Sequence, residues 1–130
     1  MVVNQLEQIM DVSILLGKTL KSVSVIGHDE ALLFVTDDGD SYTMYHEQGC
    51  CESVYLESIV GDLEDLIGSS LLVAEQVSNV EESSLSKQEL CDEYYEWTFY
   101  KFATRKGYVD LRWFGTSNGY YSVSVDFKKV

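Results

Sequence analysis

The last third of the chain alternates apolar and polar residues with a period of two, and this pattern restricts its fold more than any other feature. Residues 109–113 and 121–127 both alternate in this way, and a glycine-containing turn separates them. Residues 94–104 are aromatic, and their apolar side shifts parity, which predicts a bulge or a strand covered on both faces. Three long strands in meander order are therefore expected to form the core sheet.

The first half of the chain predicts further strands joined by tight turns. Residues 20–26 and 41–46 alternate, and residues 31–36 form a nearly continuous apolar run. The Asp-Gly pair in residues 37–40 is typical of a hairpin turn, which needs positive φ. Because these connections are too short for parallel crossovers, the strands should be antiparallel. Residues 71–80 predict one more strand.

Three segments depart from the period of two. Residues 1–16 space their apolar side chains as in a short helix, and residues 61–68 predict one or two helical turns. Residues 81–93 are polar and non-periodic, which predicts a mobile loop. The expected fold is a single α+β domain over residues 1–130, with an antiparallel meander of about six or seven strands and one or two short helices.

Charge is unevenly distributed along the chain. The net charge is −13, yet every Lys and Arg lies outside residues 22–86, which carry fourteen acids. The negative electrostatic field of such a stretch repels nucleic acid and anionic membranes and attracts basic proteins. The alternative is that the acids serve solubility alone. The acids expected to form a partner-binding surface are Asp29, Glu30, Asp37, Asp38, Asp40, Glu57, Asp62, Glu64 and Asp65.

Residues 44–52 gather an imidazole, two thiols and two carboxylates. His46, Cys50 and Cys51 are weak candidate ligands for a metal ion, and a metal-dependent enzyme is the third functional hypothesis. The competing interpretation is a hydrogen-bonded histidine at the core edge with cysteines packed as small apolar side chains. We expect no cofactor and no catalytic residue. An odd cysteine count, with two cysteines adjacent, predicts free thiols in a reducing compartment.

Polar and aromatic residues near the C-terminus suggest a small-molecule pocket, since Tyr and Trp combine apolar area with a polar tip. The competing interpretation is a hairpin turn flanked by structural aromatics. The basic residues nearby are suited either to a phosphate or to balancing acids within the sheet. The candidate pocket residues are Lys101, Arg105, Arg112, Trp113, Asn118 and Tyr120.

Several blocks of this sequence resemble a family of small uncharacterised proteins associated with bacteriophages and prophages. The blocks include residues 44–52 (MYHEQGCCE), 61–68 (GDLEDLIG) and 117–122 (SNGYYS), and the resemblance spans residues 15–127. No activity is assigned to that family, so the resemblance carries no residue role. It implies a phage-encoded protein that works inside a bacterium.

Together these observations predict a non-catalytic binding protein. The first hypothesis is an acidic inhibitor of a host or defence protein, whose surface mimics nucleic acid and whose partner is a basic, nucleic-acid-binding protein. The alternative is a protein that binds and sequesters a nucleotide or another small molecule. The chain has no apolar run long enough for a bilayer and no basic, apolar leader, so we expect the bacterial cytoplasm, with no membrane and no direct nucleic-acid contact.

Overall fold

Eight antiparallel strands and two short 3-10 turns make up the part of the chain that the computed structural model describes, residues 9–79 and 94–130. The strands form two four-stranded sheets, in the orders β1-β2-β3-β8 and β4-β7-β6-β5. Their bounds are β1 Leu20–Ile26, β2 Ala31–Thr36, β3 Ser41–Tyr45, β4 Ser53–Val60, β5 Val73–Asn79, β6 Tyr94–Thr104, β7 Gly107–Ser117 and β8 Asp126–Lys129.

The two sheets pack face to face and bury the apolar side chains of their alternating strands. Phe34 of the first sheet contacts Phe102 of the second with ring centroids 5.6 Å apart. The Nε1 of Trp113 lies 3.2 Å from the Sδ of Met44 on the opposite sheet. This arrangement is a β-sandwich, in which each inner face presents every second residue to a shared core.

The predicted antiparallel β-structure is confirmed. The helices of the predicted α+β class are reduced to 3-10 turns in the described residues, and the single meander of six or seven strands is replaced by eight strands in two sheets. The described residues hold helical geometry only in the 3-10 turns Val12–Leu15 and Leu63–Leu66. The first turn is all that the structure shows of the predicted helix, because residues 1–8 lie outside the described part. Asp11 caps this turn and Gly17 adopts a φ of +84°, which leaves room for one turn only.

The turn predicted in residues 61–68 is confirmed. The Asp62 side chain accepts a hydrogen bond from the Glu64 amide at 3.0 Å and so caps the turn. Gly68, with a φ of +89°, follows it. The loop predicted in residues 81–93 lies outside the described residues.

Strand β6 carries aromatic side chains on both faces, which explains its parity shift without a bulge. Its register with β7 is continuous, with Tyr100 and Phe102 facing the core. Tyr95 and Trp97 point to the other side, where both contact the ring of Phe114. The aromatic side chains of this strand therefore pack in two places, the core between the sheets and the outer face of the second sheet.

The prediction that residues 121–127 form the third strand of the core meander is wrong. Only Asp126–Lys129 of that region is a strand, and it pairs with β3 in the other sheet. The alternation in residues 121–127 still reflects burial, because Val123 and Val125 are buried without joining a ladder. A Cβ on Gly115 would lie 2.7 Å from the Cβ of Val123, so glycine lets the chain cross closely over β7.

Candidate binding pocket

Residues 46–52 connect the two sheets, because β3 ends at Tyr45 in one sheet and β4 begins at Ser53 in the other. The residues at the two ends of this loop meet. His46 Nε2 lies 2.7 Å from Glu52 Oε2, and His46 Nδ1 lies 2.7 Å from the main-chain oxygen of Ser124. Both side chains are almost completely buried, with exposed fractions of 5% and 1%.

The Glu52 carboxylate organises the loop by accepting hydrogen bonds from its main chain. The Cys50 amide donates to Oε1 at 2.9 Å and the Gly49 amide donates to Oε2 at 2.5 Å. The Gln48 side chain donates to the Glu52 main-chain oxygen at 2.7 Å. The Cys50 and Gly49 amides, followed by the His46 ring, lower the pKa of Glu52 to about 2. Glu52 is one of the two carboxylates noted in residues 44–52, but it was not among the candidate site residues predicted from the sequence.

Both ring nitrogens of His46 are engaged within the fold. A main-chain carbonyl can only accept, so Nδ1 donates to the Ser124 oxygen, and Nε2 faces the Glu52 carboxylate. Within residues 9–79 and 94–130, no group of three or more His, Cys, Asp or Glu side chains is placed to hold a metal ion.

The adjacent cysteines form a disulfide, which corrects the prediction of free thiols. The Sγ atoms of Cys50 and Cys51 are bonded at 2.07 Å. The two cysteines lie in the connecting loop, where the amides of Gly49 and Cys50 turn toward Glu52.

We expect thiol labelling to detect this disulfide. A Cys91→Ser variant retains only Cys50 and Cys51 as cysteines. Iodoacetamide should add no mass to the unfolded, unreduced variant and should add two carbamidomethyl groups after reduction, because bonded sulfurs do not react as thiolates. Intact-mass spectrometry of protein purified without reductant makes the measurement. Two adducts before reduction would show that the thiols are free.

A cavity of about 400 Å³ opens beside the loop. The β1–β2 turn forms its other wall and is held to the second sheet by a 2.9 Å hydrogen bond from the Leu56 amide to the Asp29 main-chain oxygen. Asp29 and Glu30 in this turn, and Glu47 in the loop, are exposed. We call this cavity the acidic pocket; the described residues that line it are Glu30, His46, Gln48, Glu52, Ser53 and Val54.

Comparison with known proteins assigns a family but no activity. Residues 13–127 match the model of a domain of unknown function, DUF7448. The chain belongs to the DUF7448 family. No curated protein and no solved structure matches this sequence. Among the described residues, the DUF7448 chain has no helix long and apolar enough to cross a membrane.

The acids singled out by sequence analysis occupy separate parts of the DUF7448 fold. The β1–β2 turn holds Asp29 and Glu30, whereas residues 37–40 form the β2–β3 turn at the opposite end of β2. Glu57 lies on β4, and residues 62–65 form the capped 3-10 turn. Antiparallel pairing therefore distributes the acidic stretch around the sandwich.

Three of these acids form ion pairs with bases from outside residues 22–86. The distances between charged atoms are 3.8 Å for Lys18 with Asp38, 3.4 Å for Lys129 with Asp40, and 2.7 Å for Arg112 with Glu57. The base-free stretch is thus partly neutralised in three dimensions. The acidic pocket differs, because no Lys or Arg lines it among the described residues.

The predicted small-molecule pocket is not assembled. Trp113 is 1% exposed and belongs to the core, so its assignment to a ligand pocket is wrong. Arg112 and the Trp97 indole both donate to Glu57 on the outer face of the second sheet. Lys101 pairs with Asp110 at 3.9 Å. The two turn residues do not converge on these groups: Asn118 accepts a hydrogen bond from the Tyr120 amide, and the Tyr120 side chain is 81% exposed.

Proposed function

We propose that this protein is a non-catalytic binding protein whose acidic pocket receives a cationic side chain of a basic protein partner. The observation that supports this function is the composition of the pocket wall. Two carboxylates line the cavity and no described Lys or Arg does, although other acids of the fold have a base within reach. Cationic groups bind most favourably where carboxylates lack an internal partner.

Glu30 is the group best suited to meet an incoming cation. The Glu52 carboxylate is already engaged in hydrogen bonds with His46 and with two loop amides. The Glu30 carboxylate is exposed and has no hydrogen-bond or ion-pair partner among the described residues. Acceptor atoms on the pocket wall add to it, since the Ser53 hydroxyl and the Gln48 side-chain oxygen make no hydrogen bond within the described part.

Inhibition is the biological consequence that we propose for such binding. A host or defence protein that holds nucleic acid on a basic surface would lose that surface to a competing acidic protein. The overall charge of −13 would accelerate the encounter by long-range attraction. This extension rests on the phage resemblance of the sequence blocks and on the charge, in addition to the pocket.

A titration with a hexa-arginine peptide tests the proposed function. We expect the affinity to fall about tenfold between about 50 and about 200 mM salt, because the contacts are between opposite charges. Glu30→Gln should weaken binding about threefold to tenfold, in line with the loss of one charge-assisted hydrogen bond. The matched control is Asp37→Asn, which removes an exposed acid at the opposite end of β2.

Isothermal titration calorimetry at both salt concentrations makes the measurement, and backbone NMR shifts map the contact. Weakening by Glu30→Gln but not by Asp37→Asn, with shifts in residues 46–54, would support the pocket. Equal weakening by both variants would mean that only the overall field attracts the peptide. That result, or binding indifferent to salt, would overturn the proposal.

A further inference from the structure

A second cavity, of about 350 Å³, lies at the opposite end of the sandwich from the acidic pocket. It is bounded by the start of β1, the segment before β5 and the β6–β7 hairpin. Its lining is rich in hydroxyl groups and contains a guanidinium. The described residues around it are Thr19, Gly68, Ser69, Ser70, Leu72 and Arg105.

Main-chain hydrogen bonds hold the walls of this cavity in place. The Gly68 amide donates to the Leu20 oxygen at 3.0 Å, and the Leu71 amide donates to the Lys18 oxygen at 2.9 Å. On the other side, the Leu72 amide donates to the Ala103 oxygen at 2.8 Å. The segment from Gly68 to Leu72 is therefore anchored to both sheets, and a ligand here would meet a preformed surface.

The Arg105 side chain has no acidic partner among the described residues, although the chain has 22 acids and only nine bases. Four other bases, Lys18, Lys101, Lys129 and Arg112, each have a carboxylate within 4.0 Å. Among the described residues, the side chains of Arg105 and Lys106 have no hydrogen-bond or ion-pair partner. Charge balance within the fold therefore does not account for these two cations.

The hydroxyl groups and the main chain complete a set of donors. The hydroxyls of Thr19, Ser69 and Ser70 line the cavity and make no hydrogen bond within the described part of the chain. Gly68 has no side chain, and the Lys106 Nζ lies 3.8 Å from the position that its Cβ would take. Both cations are thus placed around the same hydroxyl-bearing segment.

We propose that this cavity binds the phosphoryl group of a small phosphorylated molecule. Guanidinium and ammonium groups with neighbouring hydroxyls are the donors that phosphate oxygens accept from. This inference does not depend on the acidic pocket, which lies at the other end of the fold and has the opposite charge. The carboxylate of Asp65 lies against Gly107 of the β6–β7 hairpin, and its negative charge opposes that of a phosphate. We therefore expect weak binding, with a dissociation constant of about 1 mM for phosphate alone.

Titration of the full-length protein with inorganic phosphate at constant ionic strength tests the site. We expect saturable shifts of the Gly68, Ser69 and Ser70 amides in ¹H–¹⁵N NMR spectra. Arg105→Gln should weaken binding about tenfold, because the guanidinium makes charge-assisted hydrogen bonds. The matched control is Lys21→Gln, which removes another exposed cation without a described partner, on β1.

Tighter binding of wild type than of Arg105→Gln, with Lys21→Gln unchanged within twofold, would support the site. A parallel titration with ADP should shift the same three amides if the phosphoryl group is the part recognised. Equal weakening by both substitutions would show that phosphate responds only to net charge. That outcome, or no saturable shift up to about 20 mM phosphate, would overturn the inference.

Discussion

Replacing Trp113 with alanine is expected to destabilise the protein by about 3–5 kcal/mol, the usual cost of removing a buried tryptophan from a packed core. Its side chain is 1% exposed and contacts Met44 on the facing sheet. For a chain of this size the melting temperature should fall by about 10–20 °C. Urea unfolding followed by circular dichroism gives the free energy of unfolding, and calorimetry gives the melting temperature.

The matched control is Tyr120→Ala, since sequence analysis placed both residues in one ligand pocket. Tyr120 is 81% exposed, so its loss should change the free energy of unfolding by less than about 0.5 kcal/mol. If Trp113→Ala does not fold, Trp113→Phe keeps an aromatic ring and should still be measurably less stable. A stable Trp113→Ala protein, within about 1 kcal/mol of wild type, would contradict its place in the core.

Local patterns in this sequence predict strands well because alternation reports burial directly. Residues 31–36, 41–46 and 71–80 all contain strands close to their predicted bounds, and the antiparallel order follows from short turns. Alternation does not show which strands pair with each other in a sheet. Residues 121–127 alternate for burial, yet only Asp126–Lys129 forms a ladder, and that ladder joins the other sheet. The division of the strands into two sheets depends on such long-range pairing.

The sequence predicted the segment that carries the candidate site, but not the contacts that its residues make. The block containing His46 and Cys50 does form part of a cavity, and its composition drew attention to it. The hydrogen bond from His46 to Ser124 joins positions 78 residues apart, which no local pattern encodes. The acidic stretch illustrates the same limit, because Lys129 and Arg112 reach its acids only after β8 and β7 have paired.

Replacing Glu52 with glutamine is expected to release the 46–52 loop and lower the melting temperature by several degrees at neutral pH. One carboxylate oxygen accepts from the Cys50 amide, and the other accepts from the Gly49 amide and His46. A glutamine has one acceptor oxygen, so its NH₂ must face an N–H donor in either orientation. Hydrogen exchange at the Gly49 and Cys50 amides should become faster, which separates a local release from a general loss of stability.

The difference in melting temperature between wild type and Glu52→Gln should depend on pH if it comes from the charge of Glu52. Its pKa is lowered to about 2 from an ordinary value of 4.5, so its stabilising contribution is complete above that ordinary value and disappears as pH falls toward 2. The gap in melting temperature between wild type and Glu52→Gln should therefore narrow over this acidic range. Glu47→Gln, an exposed acid in the same loop, is the control and should show little gap at any pH. A gap that stays constant down to pH 2 would mean that side-chain shape, and not the ionised carboxylate, holds the loop.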